Sequence, residues 1–142
     1  MTYATKQDML DRYGEPRMRQ LTDVGQPQSG AVVDSVLNAR LADADAEIDG
    51  YLAGRMAVPL ASPPAIVRLL ACRLAYGMLL GEAAADADIA DVRAARDYLQ
   101  QVALGRINLT TPEATPAPGG LGSVLFDTGA KVMGREAADT QA

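Results

Sequence analysis

The amino-acid sequence predicts an all-α protein: a small helical bundle of about four to five helices with an extended C-terminal tail. Apolar residues recur at helical spacing through much of residues 1–109. Only 4% of the chain is aromatic and Trp is absent, so the core has to be built from smaller aliphatic side chains, which suits close helix packing. Pro and Gly are frequent after residue 110. We therefore divide the chain into a helical domain, 1–109, and a tail, 110–142.

Two short helices are predicted at the N-terminus. Thr5 is a suitable N-cap for a helix over about residues 6–13, and Gly14 fits the end of that helix. Pro16 fits the first turn of a second helix, because the N–H that proline lacks has no partner at that position. The Gly- and Pro-containing residues 25–30 are predicted to form a loop.

The third helix, over about residues 34–53, has the clearest pattern. Its apolar residues recur at spacings of three and four and define one face: Val33, Leu37, Leu41, Ala44, Ile48 and Tyr51. Its polar residues fall off that face, and we expect them to be solvated: Asp34, Asn38, Asp45 and Asp49. Gly54 fits the end of this helix.

The fourth helix is predicted to be the buried centre of the domain. Ser62 is its expected N-cap, just ahead of Pro63 and Pro64. Residues 65–80 are apolar on almost every side. A helix of that kind is normally surrounded by other helices.

A fifth helix is expected over about residues 89–104, after a connector at 83–88, and Gly105 fits its end. Together the helical patterns predict the following core residues: Leu37, Leu41, Ile48, Leu52, Ile66, Leu70, Leu74, Val92, Leu99 and Val102.

The tail combines helix-breaking residues with apolar ones. Its Pro and Gly content prevents a stable fold of its own. Its large apolar residues are nevertheless suited to binding a partner: Leu121, Val124, Leu125, Phe126, Val132 and Met133. We expect the tail either to order on a partner or to fold back on its own helices, and the composition leaves both open.

No catalytic, metal or cofactor site is expected, and we interpret the protein as not being an enzyme. The chain has no His, and its single cysteine, Cys72, lies in an apolar run as a small buried hydrophobe. An acidic stretch starting at Asp45 begins like a calcium loop, but Met56 stands where the bidentate Glu is required. A solvated helix face is the better interpretation of that stretch.

Charge and hydropathy limit the classes of partner. The net charge of −5 argues against a protein that grips DNA through its phosphates. Arg12, Arg17 and Arg19 form a local basic cluster, interpreted as solvated surface or, as the alternative, a contact with an acidic partner. Residues 1–11 are polar and no stretch is long and apolar enough to cross a membrane, so we expect a soluble protein made in the cytoplasm.

Several segments together resemble a known family. They are the N-terminal Tyr-Ala-Thr-Lys-Gln-Asp-Met-Leu stretch, the long helix ending in Ala-Glu-Ile-Asp-Gly-Tyr-Leu at 46–52, and the closing Leu-Gly-Arg-Ile-Asn-Leu at 104–109. This order resembles the small neck proteins of Mu-like tailed phages and prophages, which are similar to the head–tail adaptors of other long-tailed phages. The resemblance covers about residues 2–109, and the stretch at 46–52 is its most specific part.

The resemblance implies a head–tail adaptor: a dodecameric ring beneath the portal protein, in the virion neck between capsid and tail. The implied partners are the portal, a tail-side neck, stopper or tail-terminator protein, and further copies of the chain. DNA would pass through the ring without sequence-specific binding, which a net acidic subunit permits. No membrane partner is implied.

Two other functions remain open from sequence. One is a small monomeric helical regulator. The other is a nucleic-acid-binding accessory protein that uses the cluster of Arg12, Arg17 and Arg19. Ring formation on the portal separates the first from an adaptor, and salt-dependent DNA binding would support the second.

Overall fold

In a computed structural model that describes residues 2–109, these residues form five helices. They are α1 (Lys6–Tyr13), α2 (Glu15–Thr22), α3 (Asp34–Leu52), α4 (Ala65–Leu80) and α5 (Asp86–Ala103), with a 3-10 turn at Gly81–Ala83. Residues 2–109 contain no β-strand. The predicted all-α class and number of helices are confirmed, whereas the division at residue 110 stays a prediction.

Local signals determine α1 and α2. The Asp8 N–H donates to Thr5 Oγ1 over 3.2 Å, and the Thr5 N–H donates to Asp8 Oδ2 over 2.8 Å, which makes a reciprocal cap. Gly14 then adopts a φ of +88° between the two helices, a conformation that favours glycine. The predicted bounds of α1 and the position of Pro16 in the first turn of α2 are confirmed.

α4 lies at the centre and packs against both α3 and α5. Its buried residues occur on several sides of the helix: Val67, Leu70, Ala71, Cys72, Leu74, Ala75 and Leu80. The predicted core is confirmed except at Ile66 and Val92, which are only partly buried. Ile66 belongs to the first turn of α4, and Val92 faces a surface groove.

The starts of α4 and α5 differ from the predicted ones. Pro64, not Ser62, is the N-cap of α4, because a residue that precedes proline is disfavoured in the helical conformation and both Ser62 and Pro63 precede one. α5 begins at Asp86 rather than near residue 89. The Asp88 carboxylate accepts the Ala85 N–H over 3.1 Å, and acidic residues are favourable in a first helical turn.

Asp45 corrects the expectation that the acids of α3 are all solvated. Only 8% of Asp45 is exposed, and its Oδ1 accepts the Tyr3 N–H over 3.1 Å. The Tyr3 hydroxyl donates to Asp49 and accepts the Leu60 N–H over 2.9 Å. The segment before α1 is thus bonded both to α3 and to the α3–α4 loop. Burial raises the pKa of Asp45, and burial with the bond to Asp49 raises the pKa of Tyr3 to about 12.

The loop between α2 and α3 is organised around Asp23. Its carboxylate accepts the Ser29 N–H over 2.8 Å, the Ser29 hydroxyl over 3.0 Å and the Gly30 N–H over 2.7 Å. The bond from the Ser29 N–H is the main cause of the lowered pKa of Asp23, and the other two bonds add to it. Beside it, Thr22 Oγ1 accepts the Val33 N–H over 2.9 Å. These bonds therefore connect Ser29, Gly30 and Val33 to the C-terminal end of α2.

We predict that Leu70→Asp unfolds the domain. Leu70 is 2% exposed, and an unpaired charge at such a site costs several kcal/mol against a total stability of roughly 5–15 kcal/mol. The control is Val24→Asp, since Val24 is 69% exposed and a surface change of this kind alters stability by less than about 0.5 kcal/mol. Thermal melts followed by circular dichroism compare the two variants. Equal melting temperatures would show that α4 is not part of the core.

Opposite pH effects are predicted for two buried carboxylates. Asp23 has a lowered pKa when folded, so its contribution to stability is present above its unfolded pKa and is lost as the pH falls through the folded value. Asp45 has a raised pKa when folded, so its ionisation weakens the fold as the pH rises from the unfolded to the folded value.

Asp23→Asn is therefore expected to destabilise the fold at pH 7, because its amide cannot accept all three bonds. That deficit should shrink as the pH falls below about 4, where Asp in the unfolded chain becomes protonated and the stabilisation by the Asp23 carboxylate declines. Asp45→Asn keeps an oxygen for the Tyr3 N–H and removes a buried charge, so its stability at pH 7 should equal or exceed that of the native chain. Urea titrations between pH 3 and pH 7 measure both, and effects of the same sign would contradict this account.

Candidate interaction surface

A groove between α4 and α5 is an open concavity among residues 2–109. It has a volume of about 490 Å³ and lies between the C-terminal half of α4, the 3-10 turn and the part of α5 from Asp88 to Asp97. Its floor is apolar, formed by Leu74, Met78, Ile89 and Val92. Ile89 is 45% exposed there, although it is a large aliphatic residue. An exposed apolar concavity of this kind is typical of a binding surface.

Gly77 allows the two helices that form the groove to approach closely. A Cβ built on Gly77 would overlap Cγ2 of Val92 on α5. Val92 is β-branched, so its side chain has few alternative rotamers with which to avoid the overlap. The floor of the groove therefore depends on a glycine inside a helix, where glycine is otherwise unfavourable.

Charged residues from α5 form the rim: Asp88, Arg93, Arg96 and Asp97. Arg96 is held in place, because its Nε donates to Glu47 Oε1 on α3 over 2.6 Å and Nη2 donates to Oε2 over 3.3 Å. This bond raises the pKa of Arg96. Arg93 is exposed and makes no ion pair within residues 2–109. The rim thus carries the guanidinium of Arg96, which is held by Glu47, and that of Arg93, which can still pair with an incoming group.

The basic cluster near the N-terminus is partly engaged inside the domain. Arg17 Nε donates to the Tyr76 hydroxyl over 3.0 Å, and Arg17 Nη1 donates to Gln20 Oε1 over 2.9 Å. Tyr76 also stacks on Tyr13, with ring centroids 3.9 Å apart. Arg12 and Arg19 are exposed. Arg17 therefore joins α2 to α4, whereas the sequence interpretation treated all three arginines alike.

The residues tested for metal or nucleophilic chemistry have structural roles. Cys72 is fully buried and burial raises the pKa of its thiol, so its interpretation as a small buried hydrophobe is confirmed. Asp45 lies within α3 and bonds Tyr3. No group of three His, Cys, Asp or Glu residues able to hold a metal occurs in the described part of the chain, and no helix there could span a membrane.

The apolar tail residues predicted to bind a partner lie outside the described residues: Leu121, Val124, Leu125, Phe126, Val132 and Met133. Their role stays a prediction. The groove, in contrast, was missed by sequence reasoning, which placed Val92 in the core and treated Ile89 only as the start of a helix. A signal for it existed in Gly77, a glycine inside an otherwise apolar helix.

Comparison with known proteins decides the family. Residues 3–126 match the family described as Bacteriophage Mu, Gp36. The chain belongs to this Mu Gp36 family. Gene product J of Escherichia phage Mu is 34% identical over 121 residues, which is 82% of each chain. The Mu-like prophage FluMu protein gp36 of Haemophilus influenzae is 26% identical over 133 residues, covering 94% of this chain and 93% of that protein.

These matches confirm the resemblance to Mu-like phage proteins and correct its extent. The sequence resemblance ended at Leu109, but the Gp36 family match continues to Phe126, the last of four apolar tail residues in 121–126. The match to the FluMu protein covers still more of the chain. The first part of the tail therefore belongs to the family pattern together with the helices.

We predict that Gly77→Ala destabilises the protein although alanine is the better helix former. The new methyl group overlaps Val92, and overpacking typically costs about 1–3 kcal/mol. Gly50→Ala is the matched control: Gly50 lies inside α3 with nothing within 4 Å of a new Cβ, so alanine there should stabilise by about 0.5–1 kcal/mol.

Urea denaturation of both variants measures the difference. Adding Val92→Ala to Gly77→Ala should recover part of the loss, because it removes the methyl group that the new Cβ meets. Equal stabilisation by both glycine replacements would show that α4 and α5 do not need the close approach.

Proposed function

We propose that this chain is a head–tail adaptor of a Mu-like phage, forming a dodecameric ring beneath the portal in the virion neck. The observation that carries the proposal is membership of the Mu Gp36 family over residues 3–126, taken with the resemblance of such small neck proteins to adaptors. The partners are the portal protein, a tail-side neck, stopper or tail-terminator protein, and neighbouring copies. The protein is made in the host cytoplasm and acts in the virion.

The surface of the helical domain supports a role in assembly. The α4–α5 groove presents an apolar floor with a charged rim, which is the composition of a protein-binding surface. A net charge of −5 suits a subunit beside passing DNA, because the ring must not hold the phosphates. Arg17 is engaged with Tyr76 and Gln20, which weakens the case for a nucleic-acid site built on the basic cluster.

A structural rather than catalytic role also fits the residue chemistry. The chain has no His, and the raised pKa of buried Cys72 opposes formation of a nucleophilic thiolate. The groove is lined by apolar and charged residues without a nucleophile and base pair. Partner binding is what such a surface can do.

Binding to the portal tests the proposal. The intact chain mixed with the purified portal of the same phage is expected to form a closed ring on the portal vertex, seen by electron microscopy. A chain truncated after Leu109 should keep the circular dichroism and melting temperature of the helical domain but fail to dock, because the apolar tail residues are missing.

Three results would count against parts of this account. Early melting of the truncated chain would make the tail part of the fold. Normal docking of the truncated chain would place the portal contact on the helices. Absence of any ring, together with DNA binding that weakens with salt, would favour the accessory-protein function instead.

A further inference from the structure

We propose that the α4–α5 groove binds tail segment 121–126 of a neighbouring copy of the chain. The proposal rests on the adaptor function in one respect, since it needs copies that stand side by side. It adds the surface that receives the tail and identifies the subunit that supplies it. Four observations carry it: the chemistry of the floor, the charge of the rim, the length of the connecting segment and the extent of the family match.

The floor of the groove and the tail segment are complementary in chemistry. Leu74, Met78, Ile89 and Val92 line the floor, and the groove volume of about 490 Å³ is large enough for several side chains. The segment supplies Leu121, Val124, Leu125 and Phe126, the single Phe of the chain. Ile89 of the floor is 45% exposed, so an apolar segment that covers it removes apolar area from solvent.

The rim adds a charge match. Asp127 directly follows the apolar segment. Arg93 is exposed at the rim and has no ion-pair partner among the described residues. Arg96 is already bonded to Glu47, so Arg93 is the guanidinium available to the arriving carboxylate. This pairing would orient the segment, with Phe126 in the groove and Asp127 at its edge.

The connecting segment is long enough to reach a neighbouring subunit. Twelve residues lead from Leu109 to Leu121, and Pro112, Pro116 and Pro118 lie among them. An extended proline-rich chain of that length spans about 37 Å, whereas α5, with 18 residues, is about 27 Å long. On α5 the groove is lined by residues from Asp88 to Asp97. Because the segment can span more than the length of α5, it is long enough to reach the groove of a copy that stands alongside.

The family match independently includes this segment. It ends at Phe126, the last apolar residue before Asp127, and not at the end of the helices. The segment therefore belongs to the sequence that the family model matches together with the helices, as a segment that fits the groove of the family would.

Disulfide trapping in the full-length chain tests the proposal. Arg93→Cys and Asp127→Cys are combined in one chain, so that a disulfide can replace the inferred ion pair, while native Cys72 is buried. Mild oxidation followed by non-reducing electrophoresis is expected to give a ladder of dimers, trimers and higher species. An intrachain disulfide in the monomer would overturn the proposal, and so would two thiols that both stay free.

Matched variants show whether the ladder depends on the two surfaces. Phe126→Asp or Ile89→Asp should reduce the cross-linked fraction by about tenfold or more, as expected for the loss of a buried apolar contact. The controls should leave the cross-linked fraction unchanged: Val132→Asp, in the tail beyond the segment, and Val24→Asp, which is exposed and does not line the groove. Circular dichroism confirms that each variant is folded. A ladder insensitive to Phe126 and Ile89 would overturn the proposal.

A separate experiment tests the proposed adaptor function. Ring formation on the portal is scored by electron microscopy for the Phe126→Asp chain. If the ring persists while the disulfide ladder is absent from every chain, the adaptor function stands and the groove inference fails. A second outcome is that the chain carrying only the two cysteine substitutions forms neither the ring nor the disulfide ladder. If the native chain also forms no ring on the portal, both the adaptor function and the groove inference fail.

Discussion

The burial of α4 between α3 and α5 is the constraint on which the rest of the structure depends. α4 is apolar on nearly all sides, so it requires cover in several directions at once. α3 and α5 cover two of them. α1 and α2 also contact α4, and the stack of Tyr13 on Tyr76 with the Arg17 bond closes part of that side.

Polar contacts then hold the short helices where α4 needs them. Helices of eight residues such as α1 and α2 are not stable alone. Tyr3 bonds the segment ahead of α1 to Asp45 and Asp49, and Asp23 organises the loop that leads from α2 into α3. Because the carboxylates of Asp23 and Asp45 are largely buried, their bonds are made in a medium where an unpaired polar group is costly. Packing and polar bonding therefore support the same arrangement.

Features with a local cause could be read from the sequence, and features with a distant cause could not. The bounds of α1 follow from Thr5 and Gly14, and the stripe of α3 follows from its own spacing. Asp45 escaped prediction because its partner, Tyr3, lies 42 residues earlier. The groove escaped because the meaning of Gly77 depends on where Val92 of α5 comes to lie. The tail residues remain sequence predictions, since Leu121 and those beyond it are outside the described part.

The groove is a consequence of the same constraint. Tyr76, Gly77, Met78 and Leu79 are consecutive on α4 and point in different directions, yet all four are only partly buried within residues 2–109. The cover of α4 is thus incomplete near its C-terminal end. A helix apolar all round gains stability from any apolar segment that completes its cover. In the ring proposed above, each copy would repeat this contact, and each contact would raise the effective concentration for the next. In that assembly, the contact that completes the cover of α4 would also join neighbouring copies.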